Sequence, residues 1–338
     1  LKKLPESIII SRTDNLGDVM LTLPMTGYIK SIAPTTKVYF LGKSYTRAVI
    51  ESSKFVDQFI DKESVAQDST ILANLQAQAI VFAAPDKEVA KAAKQARIPL
   101  RVGTSHRWYH WLYCNQKVNF TRKQSELHEA QLNFKLFAPL GLLTNPTLEQ
   151  IKQWYGLEPD PKATPDNDFI RWLSPDRFNL IIHPKSKGSA KEWGLANYTQ
   201  LVEALPANKF QVLITGIKAE GDLIKQQAPD IFNFPHVHDL TGKLSLPELV
   251  ALTSKANGFL AGSTGPLHIA SAMGIHTLGI YPPIRPMHPG RWQPVGKQAH
   301  YLGLDKKCND CRKSNVCACV RAISVDQVKQ TIEGFLNH

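Results

Sequence analysis

The sequence predicts an α/β protein of two domains, each built on a mostly parallel sheet. Three observations predict it. The chain has 338 residues, enough for about two domains at roughly 100 to 200 residues each. Short apolar runs alternate with helical patterns in both halves, as βα repeats do. Between about Gly156 and Asp176 the alternation collapses into Pro159, Pro161, Pro165 and Pro175 among acidic and polar residues, which reads as a linker. The expected boundaries are 1–160 for the first domain, 161–176 for the linker, 177–322 for the second domain and 323–338 for a closing helix.

The elements follow in order. Ser7–Ser11 is a short apolar strand, and a helical stretch runs from about Gly17 to Ile32. Lys37–Leu41 is the next strand, Ser44–Ser53 a helix, Ala79–Phe82 a buried strand, Asp86–Ala96 a helix and Leu100–Val102 a strand. In His128–Leu140, Leu132, Leu136 and Leu140 recur four apart on one helical face, and Gly141 ends it. After the linker, Leu180–His183 and Gln211–Thr215 are strands around a Leu195–Ala204 helix. Ser245-Leu246-Pro247-Glu248 is a capping box opening a helix to about Ser254. Gly258–Ala261 and Thr277–Ile280 are strands around a Pro266–Met273 helix, and a second box at Ser324–Gln327 opens the last helix. Ligands of such sheets bind at the carboxyl ends of the strands. A cleft between two such domains is therefore the expected site.

Composition narrows the class. Hydrophobic residues are 43% and charged residues 20%, an ordinary globular balance that excludes wholesale disorder. No run of about 18 apolar residues is present, so no membrane-spanning helix is expected. Leu1–Glu6 and the short Ser7–Ile10 run do not make a signal peptide, so the cytoplasm is the expected compartment. Five cysteines, an odd number, suit a reducing environment. Forty Lys and Arg against 29 Asp and Glu give a formal charge of +11. The excess is concentrated: Val89–Ser125 holds Lys91, Lys94, Arg97, Arg101, Arg107, Lys117, Arg122 and Lys123 with no acid. Such a surface gathers anions, whether nucleic acid, an anionic lipid surface or a phosphorylated small molecule.

Four strand-to-helix turns carry the candidate chemistry. Arg12-Thr13-Asp14-Asn15-Leu16-Gly17-Asp18, with Leu23-Pro24 beyond, begins where the first strand ends. Asp18 there can take a proton from an incoming hydroxyl or simply occupy the first turn of a helix. Gly262-Ser263-Thr264-Gly265-Pro266-Leu267-His268 opens a helix with Pro in its first turn. Free amides, the helix dipole and the Thr264 hydroxyl make an anion seat, with His268 one turn in; the bland alternative is a packed helix histidine. The loop His183–Trp193 holds Lys185, Lys187, Lys191, Ser186 and Ser189, able to neutralise a diphosphate without a metal or, for any one Lys, merely to be solvated. Glu220, after Thr215-Gly216, can hold a ribose diol or serve as a first-turn helix acid.

Other features are weaker. Asp166-Asn167-Asp168 mimics a D-x-D metal motif inside the linker. Cys308, Cys311, Cys317 and Cys319 are close enough in sequence for zinc, with free thiols or a labile disulfide the preferred reading. His236 and His238 form an H-x-H pair without an evident partner. The cluster His106–Tyr113 (HRWYHWLY) mixes aromatic and cationic residues. It suits stacking on bases, a membrane interface or a sugar, or the aromatics of an ordinary helix entering a core.

Taken in order, these segments resemble glycosyltransferase family 9, the heptosyltransferases of bacterial lipopolysaccharide synthesis. The resemblance rests on Arg12 to Pro24, on Asp239-Leu240-Thr241-Gly242 through Leu246 and Leu249, and on Gly262 to Ala270, with Arg101-Val102-Gly103 and His128-Glu129 as lesser matches. It implies a GT-B fold: two Rossmann-like domains with a ligand cleft between them, the first binding the acceptor, the second the nucleotide sugar, and a last helix that packs back on the first. It implies inverting, metal-independent transfer of a heptose, typically from ADP-heptose, to a lipopolysaccharide core acceptor, with no cofactor. Asp18 matches the family's catalytic base. Lys191, Ser186, Thr264, Gly265, His268 and Glu220 fall on the donor side, and Arg47, Arg101, Arg107 and Lys123 are the acceptor-side cations. Ser263 departs from the pattern, since many members carry Asp there. A peripheral contact with the inner membrane follows from a lipid-linked acceptor, and nucleic acid is not expected. The alternatives are a nucleotide-sugar epimerase of the same architecture and a non-catalytic nucleic-acid-binding protein.

Overall fold

The structure, a computed structural model, describes residues 4–68, 70–122, 125–159, 168–186, 188–306, 308, 310–312, 314 and 316–337. The chain divides into two compact units, Leu1–Glu158 and Pro159–His338. Each holds one six-stranded sheet in which every pairing is parallel.

In the first unit the strands are β1 (Ser7–Ser11), β2 (Lys37–Gly42), β3 (Gln58–Asp61), β4 (Ala79–Phe82), β5 (Leu100–Thr104) and β6 (Gln116–Val118), in the order β3-β2-β1-β4-β5-β6. This is the dinucleotide-fold order, with its reversal point between β1 and β4. β1 sits at the centre, and Ile8, Ile9 and Ile10 are fully buried, as continuous apolar strands are when helices cover both faces. On one face Ile9, Ile80, Leu41 and Phe82 pack with Val89, Ala90 and Ala93. The helical stretch expected over Gly17–Ile32 is two helices, Leu16–Met20 and Pro24–Ile32, because Pro24 has no amide to continue the ladder and starts the second one. Gly27 lets this second helix touch the chain at Trp154: a Cβ there would stand 2.1 Å from the Trp154 carbonyl oxygen. His128 caps Glu129–Phe134, and Lys135–Leu140, which contains Pro139, continues as 3₁₀ to Gly141 at φ 69°.

The second unit repeats the plan. Its strands are β7 (Phe178–His183), β8 (Phe210–Ile214), β9 (Val237–Asp239), β10 (Gly258–Gly262), β11 (His276–Ile280) and β12 (Ala299–Leu302), ordered β12-β11-β10-β7-β8-β9. The reversal point lies between β7 and β10. Alternate residues face opposite layers. Leu180, Ile182, Val212, Ile214 and Leu260 meet Trp193, Tyr198 and Leu201, while Ile181, Leu213, Phe259 and Ala261 meet Leu252 and Leu267. Both capping boxes form, at Ser245 and at Ser324. The closing helix is Val325–Gly334. Its apolar side, Val328 and Ile332, followed by Phe335, fills the second unit's own core.

β3, β6, β9 and β12 were not evident from the sequence. All four are sheet edges. Among the described residues, no helix is long and apolar enough to cross a membrane.

Candidate active site

In the first unit the candidate site grows from the end of β1, at the reversal point. Asn15 caps the following helix without a side-chain bond, and Asp18 stands in its first turn. The Asp18 side chain does not cap that helix. It pairs with the Arg12 guanidinium. Arg12 is buried, with a side chain 4% exposed, and donates also to Asp14 Oδ1 at 2.7 Å. Its other contacts are the Ala83 carbonyl at 3.2 Å, Asn133 Oδ1 at 3.0 Å and Glu129 Oε1 at 3.3 Å. Glu129, 1% exposed, accepts from Arg122 Nε at 2.9 Å. Arg122 also donates to Asn133 Oδ1 at 2.8 Å, and Asn133 Nδ2 donates to the Leu21 carbonyl at 3.0 Å and to Thr22 Oγ1 at 3.1 Å. The network therefore ties the end of β1 to the start of the Glu129–Phe134 helix.

This network sets the character of Asp18. Burial pushes its carboxyl up; the Arg12 charge opposes that, and the nearby Asp14 and Glu129 carboxylates add to it, leaving Asp18 at about 6. A carboxylate so placed is a stronger base than a surface Asp and is still largely ionised at neutral pH. Thr13, beside it, donates to Asp86 Oδ2 at 2.9 Å, and Lys62 pairs with the same oxygen at 2.9 Å.

In the second unit the candidate residues gather at the carboxyl ends of β7, β8 and β10. Thr264 precedes the Gly265–Met273 helix, with Pro266 in its first turn. Its Oγ1 is buried and has no hydrogen-bond partner among the described residues. The Gly265 and Leu267 amides lie in the first turn, outside the helix's own ladder. His268 is buried one turn in. Ser263 is in hydrogen-bond contact with Tyr281. The Lys191 loop comes against this turn, since a Cβ on Gly262 would stand 3.5 Å from the Lys191 carbonyl oxygen. Lys191 is buried and donates from Nζ to the Ser314 carbonyl. Ser186 is buried too, its Oγ donating to the Ala190 carbonyl at 3.0 Å. Lys185 is neutralised by Glu192 at 2.6 Å. Glu220 stands in the first turn of its helix, where its Oε2 accepts the Ile217 amide at 2.9 Å.

The acceptor-side cations divide. Arg107 is exposed. Arg47 pairs with Glu51 at 3.2 Å and lies over the Phe59 ring at 4.5 Å. Arg101 donates to the Tyr113 carbonyl at 2.7 Å and to that of Ile98. Lys123 lies outside the described residues, as do Lys187 and Asp166-Asn167 of the D-x-D motif. Among the described residues no three His, Cys, Asp or Glu groups are arranged to hold a metal. Cys311, Cys317 and Cys319 are buried in the second unit's core as free thiols. His236 is also a core residue, its Nε2 3.2 Å from the Val202 carbonyl oxygen. Sequence reasoning did not give roles to Arg12, Arg122, Glu129 or Asn133. The available signals were Arg12 inside the first motif and Glu129 at a helix start.

The sequence model of glycosyltransferase family 9 (heptosyltransferase) matches residues 76–319. The chain belongs to glycosyltransferase family 9. It is thus a glycosyl-transfer enzyme by family. The match spans Lys191, Glu220 and the Thr264 turn and begins after Asp18. A Haemophilus influenzae protein whose name goes no further than glycosyltransferase is 29% identical over 344 residues, covering 98% of this chain and 97% of that one. The solved Escherichia coli ADP-heptose LPS heptosyltransferase II superposes with a TM-score of 0.77 at 16% identity, covering 98% of each chain. Escherichia coli heptosyltransferase WaaC, solved with ADP, gives 0.71 at 18% identity, covering 97% of this chain and 99% of that one. These likenesses establish the GT-B fold of this family 9 chain.

Proposed function

We propose that this family 9 enzyme transfers a heptose from a nucleotide-diphospho donor to an anionic lipopolysaccharide core acceptor, with inversion and without a metal ion. The observation that carries the reading is Asp18, a half-buried carboxyl raised to about 6 and paired with Arg12 at the reversal point of the first sheet. The acceptor hydroxyl gives its proton to Asp18 as its oxygen attacks the donor's anomeric carbon. The new carbon–oxygen bond forms on the face opposite the breaking bond to phosphate, so the configuration inverts. The nucleoside diphosphate leaves with the electron pair. Negative charge grows on its phosphate, where Lys191, the Thr264 hydroxyl and the first amides of the Gly265–Met273 helix stabilise it in place of a cation. On this reading the base belongs to the first unit and the phosphate seat to the second, with Arg107 and Arg47 as the acceptor-side cations. Since WaaC was solved with ADP, adenine nucleotides are the first donors to test.

The experiment pairs calorimetry with product analysis. Titration with ADP, UDP and GDP fixes the nucleotide, and NMR of the product fixes the anomeric configuration. Asp18→Asn is expected to keep nucleotide affinity and to lose turnover by about 10²- to 10⁴-fold, the usual range for a general base. Full turnover by that variant, or a product of retained configuration, would overturn the reading.

A further inference from the structure

We infer that the helix Trp108–Tyr113 and the lysines beside it form a docking surface for an anionic phospholipid bilayer. The helix is amphipathic the wrong way round for a soluble surface. Trp108, Trp111 and Leu112 fall at i, i+3 and i+4, hence on one face, and they are 64%, 62% and 54% exposed. The opposite side anchors the helix. His110 is fully buried, with Nδ1 2.9 Å from the Thr104 carbonyl oxygen. The indole of Trp111 donates to the Ser105 carbonyl at 3.0 Å, which holds that ring outward rather than leaving it loose.

Cations frame the apolar face. Lys87 Nζ lies 5.1 Å from the Trp108 ring centroid and Lys117 Nζ 4.9 Å from that of Trp111. Lys94 donates to the Leu112 carbonyl at 2.9 Å. Lys87, Lys91 and Lys94 are exposed and follow one face of the Lys87–Gln95 helix, which packs against the aromatic helix. Glu88 is the exposed acid at the start of this region and lies 3.9 Å from Lys62, and no Asp or Glu follows from Val89 to Ser125. Indole rings with lysines around them match the boundary where acyl chains meet anionic headgroups: the rings enter the interface and the ammonium groups meet phosphate. A nucleic acid could stack bases on the indoles but would leave Leu112, 54% exposed on the same face, without apolar cover. The inference rests on the proposed lipid-linked acceptor for its purpose, since it would bring the enzyme to a substrate held at a membrane. Its test does not depend on turnover.

The test is sedimentation of the whole protein with vesicles of phosphatidylglycerol and phosphatidylcholine, against vesicles of phosphatidylcholine alone. Binding is expected only to the anionic vesicles, weakening as salt is raised, with a blue shift of tryptophan emission. The triple variant Trp108→Ser, Trp111→Ser, Leu112→Ser changes exposed side chains alone and should fold, which its melting temperature and nucleotide titration check. It should lose affinity for the vesicles by about tenfold or more, given the apolar area removed. Lys87→Glu with Lys117→Glu should weaken binding most at low salt. Failure of the wild-type protein to sediment with anionic vesicles, equal sedimentation of the triple variant, or a dimer in vesicle-free solution that the triple variant abolishes would each overturn the inference. Loss of nucleotide binding in the wild-type protein would instead strike the proposed function and leave this one standing.

Discussion

The raised carboxyl of Asp18 makes a quantitative prediction for the pH dependence of turnover. With its midpoint at about 6, Asp18 is about nine-tenths ionised at pH 7 and about one-tenth ionised at pH 5. An Asp at the ordinary 3.8 would be mostly ionised at both. If the ionised form is the base, kcat/KM should fall roughly tenfold between pH 7 and pH 5, along a limb centred near 6. The ratio kcat/KM is the proper measurement because it reports the free enzyme. Glu129→Gln removes one of the like charges that push Asp18 up, so the limb should move to lower pH. Stability supplies an independent check. Because the folded chain holds the Asp18 proton more tightly than the unfolded chain, folding loses stability as pH rises from about 4 to about 6. The loss is at most about 3 kcal/mol, at 1.36 kcal/mol per pH unit. Asp18→Asn cannot ionise and escapes it, so denaturant titrations should show the variant gaining on the wild-type protein between pH 4 and pH 7. A flat kcat/KM from pH 5 to pH 8, together with a stability difference that ignores pH, would refute the assignment.

Further tests address the second half-site and the scaffold. Thr264→Val removes a buried hydroxyl with no partner among the described residues; nucleotide affinity by calorimetry should fall by about 1–3 kcal/mol, while the unliganded chain becomes no less stable. Lys191→Ala should lower turnover by about 10²-fold or more through the leaving phosphate, and turnover of the wild-type protein should survive EDTA; loss on chelation with rescue by a divalent cation would contradict the lysine-and-dipole mechanism. Gly27→Ala forces a Cβ to within 2.1 Å of the Trp154 carbonyl; thermal unfolding should show destabilisation of about 1–3 kcal/mol or more, as overpacking causes. Trp193→Phe deletes the indole donor that meets the Ile323 carbonyl at 2.8 Å, leaving a buried acceptor unpaired at a cost of about 1–3 kcal/mol in denaturant titration.

How far the sequence revealed this protein follows from where each residue sits. The central strands were legible because both faces are buried, so β1, β4, β7 and β10 read as continuous apolar runs. The edge strands QFID, QKV, VHD and AHYL have one neighbour each and mix polar with apolar residues, so no periodicity marks them. Asp18, Lys191 and Thr264 stood out because each follows a strand in a turn of fitting chemistry. The support of Asp18 did not, because Arg12 and Glu129 are 117 residues apart and only folding joins them. Arg101 shows what charge counting does not give: its Nε and Nη1 donate to the Tyr113 and Ile98 carbonyls, contacts that only folding makes.

The two half-sites have opposite electrostatics, and the proposed chemistry requires that. Burial, with Asp14 and Glu129 adding to it, pushes the Asp18 carboxyl up against the pull of Arg12, which keeps the base strong. Lys191, whose ammonium meets a backbone carbonyl, and the amino end of the Gly265–Met273 helix offer positive charge to a leaving phosphate. A base set among those cations would have its pKa lowered, and its basicity lost with it. The proposed base and the proposed phosphate seat belong to different sheets, and each is expected to be tuned alone. The consequence is a separation of effects between two variants. Lys191→Ala should depress turnover at every pH and leave the acid limb where it stands. Glu129→Gln should shift the limb and leave nucleotide affinity unchanged. If either variant moved both quantities, the base and the phosphate seat would share one electrostatic environment, and independent tuning would fail as an account of this fold's chemistry.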